Sequence, residues 1–482
     1  MNETEAGSLL ESLRTVFDGR LLTDAHDVEP FLNDWRRRYR GRTLAVAQPT
    51  STAAVAAIVR WCSANRVAVV AQGGNTGMSG AATPDDSGRS LVVSLTQMSA
   101  VRAVDTVNNT ITVEAGLTLA GVQDAARAAD RLFPLSLASE GSCTIGGNLS
   151  TNAGGCQVLR YGNARELCLG VEVVTADGEV WNGLRGLRKD NTGYDLRDLF
   201  VGAEGTLGII TAATLKLFPQ PAARLTALAA VPSPREALAL LQIAQLELGS
   251  SLTAFELLSD VCLELVAEAF PQCQRPFAEA SPSYVLLECS DPESEAHASE
   301  RFERVMMQAF DAGLATDAVV ADSIARSKAL WALRENVSAA EAAFGKAIKH
   351  DIAVPISAIA DFIEATSAAV ESRFPGIRMV VFGHLGDGNL HFNVASATRF
   401  GSAQDESRFL AMQEDINRVV HDAVAASGGS ISAEHGLGVL RRDESARYKS
   451  PVELELMRRI KTVLDPLGIM NPGKVLPPSV LG

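Results

Sequence analysis

Three of the chain's 7 histidines fall in two short segments near its end. Phe382-Gly-His-Leu-Gly-Asp-Gly-Asn-Leu-His-Phe-Asn393 carries His384 and His391, and Ser432-Ala-Glu-His-Gly436 carries Glu434 and His435. Two imidazoles and a carboxylate suit a divalent cation, and three protein ligands leave one coordination position open for substrate. The remaining histidine is a spare acid/base group. Such donors favour zinc and are acceptable to manganese, cobalt or iron(II). The plainer alternative is a set of core histidines satisfied by backbone carbonyls. That alternative serves for His26, His297, His350 and His421, which read as surface or helix positions without partners.

The elements that must carry these groups are partly visible. Leu390-His-Phe-Asn-Val394 alternates like a strand, so His391 and Asn393 share a face. His384 lies just past an apolar strand at 379–382, in a turn with Gly383, Gly386 and Gly388 that returns it toward His391. Glu434 and His435 emerge from a short strand at 430–433, facing opposite ways. Residues 331–338 read as helix, which puts Arg334 and Ser338 one turn apart on one face. Lys349 follows where the chain turns into a strand. Taken alone, Arg334 reads as a surface ion pair and Lys349 as a solvated charge.

Two glycine-rich segments stand in the first half. Gln72-Gly-Gly-Asn-Thr-Gly-Met-Ser-Gly80 ends a strand but does not fit G-x-G-x-x-G and opens no long helix, which argues against a Rossmann site. Successive glycine N–H groups can instead cup a pyrophosphate as a nest. A second block, Gly141-Ser-Cys-Thr-Ile-Gly-Gly-Asn148 with Thr151-Asn-Ala-Gly-Gly155, adds more backbone open to close approach. Either block alone could be a tight turn; together with Glu204-Gly-Thr-Leu-Gly-Ile-Ile210 they favour a cofactor cradle.

Composition bounds the rest. With 482 residues and 47% hydrophobic content the chain can bury more than one core. Lys+Arg 43 against Asp+Glu 57 gives −14, and no basic run appears, which argues against nucleic acid as a partner. The 7 cysteines are scattered without a C-x-x-C and read as reduced thiols in a cytoplasmic protein. No apolar run reaches the ~18 residues that span a bilayer, and the acidic N-terminus shows no secretory signal. Phe218-Pro-Gln-Pro221 is the clearest boundary. The predicted organisation is a helical arm over 1–40, a cofactor domain over 41–221, a substrate and metal domain over 222–450, and a C-terminal segment over 451–482. Helices are expected over 325–344 and 405–427.

The glycine segments, with Arg188-Lys-Asp-Asn-Thr-Gly-Tyr-Asp-Leu196 and 204–211, resemble the vanillyl-alcohol-oxidase/p-cresol-methylhydroxylase (PCMH) type of FAD-binding domain. The likeness runs from about residue 44 to the C-terminus. Its second half resembles the FAD-linked oxidase C-terminal domain of the D-lactate dehydrogenase-like group, and within it the members that oxidise D-2-hydroxyglutarate. The resemblance implies an α+β fold: a two-lobed PCMH-type FAD-binding domain, then an α/β substrate (cap) domain, with the C-terminal tail returning to the FAD domain. FAD would lie on Gln72, Gly73, Gly74, Asn75, Thr76, Gly77, Met78 and Gly80. Further contacts would come from Gly141, Ser142, Ile145, Gly146, Gly147 and Asn148, then Asn152, Gly154 and Gly155. Glu204, Gly205, Gly208, Ile209, Ile210 and Asn471 complete the set. Relatives that attach flavin covalently use a histidine near the first glycine loop. None stands there here, so FAD is expected to be non-covalent, with Cys143 and Cys156 as buried structural thiols.

The same resemblance assigns the metal to His384, His391 and Glu434, the base to His435, and the substrate to Arg334, Ser338, Lys349, Asn393 and His435. Ser338 stands where the family usually has threonine and keeps the hydroxyl. Two cations suit a substrate with two carboxylates. The implied reaction is oxidation of D-2-hydroxyglutarate to 2-oxoglutarate, with the hydroxyl proton going to His435 and the hydride to flavin N5. A D-lactate, glycolate or D-malate dehydrogenase is the alternative within the group, and a non-flavin metallohydrolase or binding protein the alternative outside it. The family also implies an electron-transfer flavoprotein or a quinone-linked route as electron acceptor, and a homodimer.

Overall fold

The computed structural model describes residues 3–17 and 19–478, which divide into two compact units. The first comprises 1–154, 162–219 and 434–482, and the second 155–161 and 220–433. One division, between 219 and 220, falls in the proline-rich stretch at 218–221. The second unit, however, ends at Ala433 rather than 450, and a short piece of the first half belongs to it.

The first unit holds two main sheets. In one, Ala45–Gln48, Ser90–Ser94 and Ala68–Gln72 run parallel, with Arg20–Leu22 added antiparallel at the edge. A helix, Thr52–Asn65, connects two of these strands. Ser51 starts it by accepting the Ala54 N–H, and it turns Val55, Ile58, Val59 and Cys62 into the core. The other sheet is antiparallel, in the order Val101–Asp105, Thr110–Glu114, Ile209–Lys216, Cys168–Val174, Val180–Asn182. The N-terminal helix, Glu3–Val16, is no separate arm: Leu13 and Phe17 sit in the same core as Trp61 and Met470. The second glycine block also departs from expectation, because Ile145–Ser150 forms a short helix. Gly146 permits it, since a Cβ there would lie 2.7 Å from that of Ala115.

The second unit is built on one antiparallel sheet of eight strands. Its centre runs Ala223–Val231, Ser283–Asp291, Leu252–Ser259, Ile377–His384, Asn389–Ser396. The helices Pro234–Leu248 and Glu295–Asp311 start at Ser233 and Ser294, whose hydroxyls accept backbone N–H groups. The expected helix over 325–344 is broken into Ile324–Glu335 and Val337–Phe344. At the break the Asn336 amide donates to Ala332 O at 2.8 Å, beside the Asn336 backbone N–H on the same carbonyl at 3.2 Å. The 405–427 helix is likewise two, Ala403–Ala411 and Gln413–Ala426. Among the described residues, no helix is long and apolar enough to cross a membrane.

Candidate active site

The histidine cluster of the second unit hangs on one hairpin. Ile377–His384 pairs with Asn389–Ser396 so that Phe382 faces His391 and His384 faces Asn389. His384 is thus the last residue of its strand, not part of the turn beyond it. The four-residue connection closes through Gly388 N–H to His384 O at 3.1 Å and Asn389 N–H to Asp387 Oδ1 at 3.0 Å. The two imidazole centroids lie 6.0 Å apart. Glu434 directly follows Ala433, whose N–H bonds Asp351 O at 3.2 Å.

What orients His384 is a residue that sequence reasoning missed. Glu256, wholly buried on Leu252–Ser259, accepts from His384 Nδ1 at 2.6 Å and from Arg334 Nε at 2.8 Å. Burial alone would raise the Glu256 pKa, but the charges of His384 and Arg334 and their hydrogen bonds hold it down to about 2. An ionised carboxylate on Nδ1 fixes the tautomer and turns Nε2 outward as a ligand nitrogen. The donor set and this support fit a divalent cation. The signal for Glu256 was a lone acid inside the apolar run Leu-Thr-Ala-Phe-Glu-Leu-Leu, where burial demands a partner.

Arg334 is therefore no surface residue; it is buried, with its guanidinium carbon 4.8 Å over the Phe382 ring. Ser338 lies across the helix break and is exposed, so the two do not share one helical face. Lys349 is not a solvated charge either: its Nζ is 2.6 Å from Oε2 of buried Glu341. Asn393 donates to that same oxygen at 3.2 Å and accepts from the His350 N–H at 3.1 Å. Its amide thus ties the Lys349 segment to the sheet. His350 and His421 are buried with rings 5.5 Å apart, and His350 bonds Phe392 O and Asn417 Oδ1. His297 pairs with Asp291 at 3.0 Å, so of the four histidines read as unpartnered only His26 is an exposed position. Cys156 is half-exposed, with its sulfur within 4.8 Å of ligand atoms of Glu256 and His384, and is not a buried structural thiol.

In the first unit the two glycine blocks meet. A Cβ at Gly73 would lie 2.2 Å from Thr144 Oγ1, and one at Gly74 would lie 1.8 Å from Ser142 O. No other residue type could stand at Gly74. Gly77 and Gly141 face open space, while the Thr144 hydroxyl is buried without a partner. Asn471 Oδ1 is a second orphaned buried acceptor. Open glycine backbone beside orphaned polar atoms fits a phosphate-bearing cofactor such as FAD. Not every expected contact points there. The Gln72 and Asn75 amides bond backbone at 30–33 and 82, and Asn152 Oδ1 takes the Arg165 N–H. Ile209 packs in the core and Gly208 closes against Val173. Cys143 is buried beside the Asn148 amide. Glu204 directs its carboxylate at Leu437 and Gly438. Half-buried His435 lies two residues before Leu437.

Residues 220–475 match the family described as FAD linked oxidases, C-terminal domain, and residues 43–183 match an FAD binding domain. The chain is similar to the mitochondrial D-2-hydroxyglutarate dehydrogenase of Bos taurus, 39% identical over 97% of this chain and 83% of that protein. It is also similar to the D-2-hydroxyglutarate dehydrogenase of Xanthomonas citri pv. viticola, 40% identical over 95% and 94%. Among solved structures, p-cresol methylhydroxylase with substrate bound aligns at a TM-score of 0.77 and 15% identity, covering 99% of this chain and 98% of that one. 4-Ethylphenol oxidase from Gulosibacter chungangensis aligns at 0.73 and 19%, covering 100% and 99%. These two establish the α+β fold of PCMH-type FAD oxidases.

Proposed function

The chain belongs to the D-2-hydroxyglutarate dehydrogenase family of FAD-linked oxidases, and from that premise we propose that it oxidises D-2-hydroxyglutarate to 2-oxoglutarate with non-covalent FAD and a divalent cation, zinc in the first instance. The observation that carries the metal half of this reading is the His384–Glu256 pair, because a histidine steadied by a buried carboxylate is how metal-ligating imidazoles are held. His384, His391 and Glu434 would hold the cation, and the glycine segments of the first unit the FAD. Bound FAD supplies the hydride acceptor, and the cation the charge that acidifies the C2 hydroxyl.

The chain's own groups do the rest. Arg334, braced by Glu256, and Lys349, braced by Glu341, receive the two carboxylates, assisted by Ser338 and Asn393. As the C2–H bond breaks, a ring nitrogen of His435 takes the hydroxyl proton, and the acid leaves as its 2-oxo form, two electrons poorer. Those electrons pass to an electron-transfer flavoprotein or a quinone-linked acceptor. A reducing compartment such as the cytoplasm is part of the proposal, since the seven cysteines are scattered without a C-x-x-C. A homodimer remains part of the proposal.

One observation favours a second reading. The Lys349 charge already faces Glu341 at 2.6 Å, which suits a smaller 2-hydroxy acid without a second carboxylate, such as D-lactate or glycolate. Anaerobic flavin reduction across a panel of D- and L-2-hydroxy acids tests both. D-2-hydroxyglutarate is expected to bleach the flavin fastest, chelator to stop bleaching, and Lys349→Ala to weaken dicarboxylates while sparing lactate. A holoprotein that stays yellow under saturating D-2-hydroxyglutarate overturns the assignment. Equal loss on both substrate types favours the second reading.

A further inference from the structure

Glu204 was expected to touch the cofactor, but its carboxylate is spent elsewhere. It is buried, and its two oxygens accept from two successive backbone N–H groups, Leu437 at 2.7 Å and Gly438 at 2.8 Å. Glu204 lies in the left-handed region, at φ +51, a conformation that a non-glycine residue keeps only where its surroundings require it. The receiving turn is shaped for this carboxylate. Gly436 has φ +71, and a Cβ there would lie 2.8 Å from Glu204 Oε1. Gly438 has φ +49, and its Cβ would lie 2.1 Å from Ser79 O. Ser79, next to the glycine that ends the first glycine loop, donates to His435 O at 3.1 Å and accepts the Val439 N–H at 2.9 Å.

We infer that Glu204 is a positioning residue for the reaction, holding the turn that presents His435 against the cofactor loop. The inference rests on His435 being the base. A carboxylate is required because two parallel N–H donors need two acceptor oxygens. Glutamine would turn an NH2 toward one of them, losing a bond and opposing donor to donor. A base displaced by about an ångström can cost on the order of 10²-fold in rate.

The test is single-turnover, anaerobic flavin reduction by D-2-hydroxyglutarate in the holoprotein. Glu204→Gln is expected to fold and retain FAD, to melt somewhat lower for the lost buried bond, and to reduce flavin on the order of 10²-fold more slowly. In a His435→Ala background, Glu204→Gln is expected to add no further loss, because it acts through the imidazole. A merely structural role would give additive losses. Wild-type reduction by Glu204→Gln, additivity with His435→Ala, or loss of FAD each overturns the inference. Should Glu204→Gln not fold, Ser79→Ala decides, with slower reduction at full FAD content expected and an unchanged rate overturning it. If His435→Ala itself reduces flavin at the wild-type rate, the base assignment fails first. If only Glu204→Gln is normal, the positioning role alone fails.

Discussion

At Glu256 one carboxylate with no exposure receives both His384 and Arg334, a proposed metal ligand and a proposed substrate cation. Removing one partner from a buried ionic cluster leaves the others uncompensated, at about 3–5 kcal/mol. Glu256→Gln keeps the shape and discards the charge, leaving one carbonyl oxygen and an NH2 where two oxygens received Arg334 and His384. Metal affinity is expected to fall about 10–100-fold, with a clear loss of thermal stability. Metal-to-protein ratio after dialysis against graded chelator, together with a melting curve, checks this. Unchanged metal retention would show that His384 needs no such brace. His384 and His391 were legible because histidines are rare in this chain and clustered; Glu256 was not, because it touches them only across strands far apart in sequence. Arg334 and Lys349 misled for a similar reason. Their buried partners, Glu256 and Glu341, lie 78 residues away in one case and on the preceding helix in the other.

At the scale of elements, the hairpin Ile377–His384/Asn389–Ser396 sets where the histidines sit, and its turn depends on Gly388. That residue has φ +90, and a Cβ would lie 2.5 Å from Val354 O. Gly376 offers a control within the same unit: its φ is +85, and a Cβ would meet nothing within 4 Å. Alanine at either position suffers the left-handed strain of roughly 1–2 kcal/mol. Only at Gly388 must backbone also move, adding typically about 1–3 kcal/mol. Gly388→Ala is therefore expected to melt lower than Gly376→Ala and, alone of the two, to weaken metal binding. Equal melting temperatures with equal metal content would detach the turn from the site. The strands themselves were readable, because Leu390–Val394 alternates and the run before His384 is apolar. The break at Asn336 was not, since both flanking segments favour helix. Residues 430–433 contribute one bridge, Ser430 to Ala353, where a strand was expected.

At the scale of the whole chain, sequence order and spatial order diverge at its end. The proline-rich stretch near 219 signalled one division through composition alone, while the return of the chain to the first unit at 434 left no such mark. It depends on long-range bonds from Ser79 and Glu204 and on the segment beyond the helix Pro451–Leu464. There the chain pairs with Ala68–Gln72, the strand that leads into the first glycine loop. Val69 N–H donates to Ile469 O and Asn471 N–H to Val69 O, both at 2.8 Å. Ile469 and Met470 are buried in the same core as Val69. Ending the chain after Leu464 removes both side chains from that core and leaves the strand edge unpaired. Each deleted large side chain costs about 2–5 kcal/mol, against a total stability of roughly 5–15 kcal/mol for a typical domain. Met470→Ala alone is expected to lower the melting temperature while leaving FAD bound. The truncation is expected to yield protein without flavin absorption, because the strand that leads into the glycine loop loses its bonds to the tail. A truncated chain that purifies yellow would mean that the cradle is held by its own glycines and not by the returning tail.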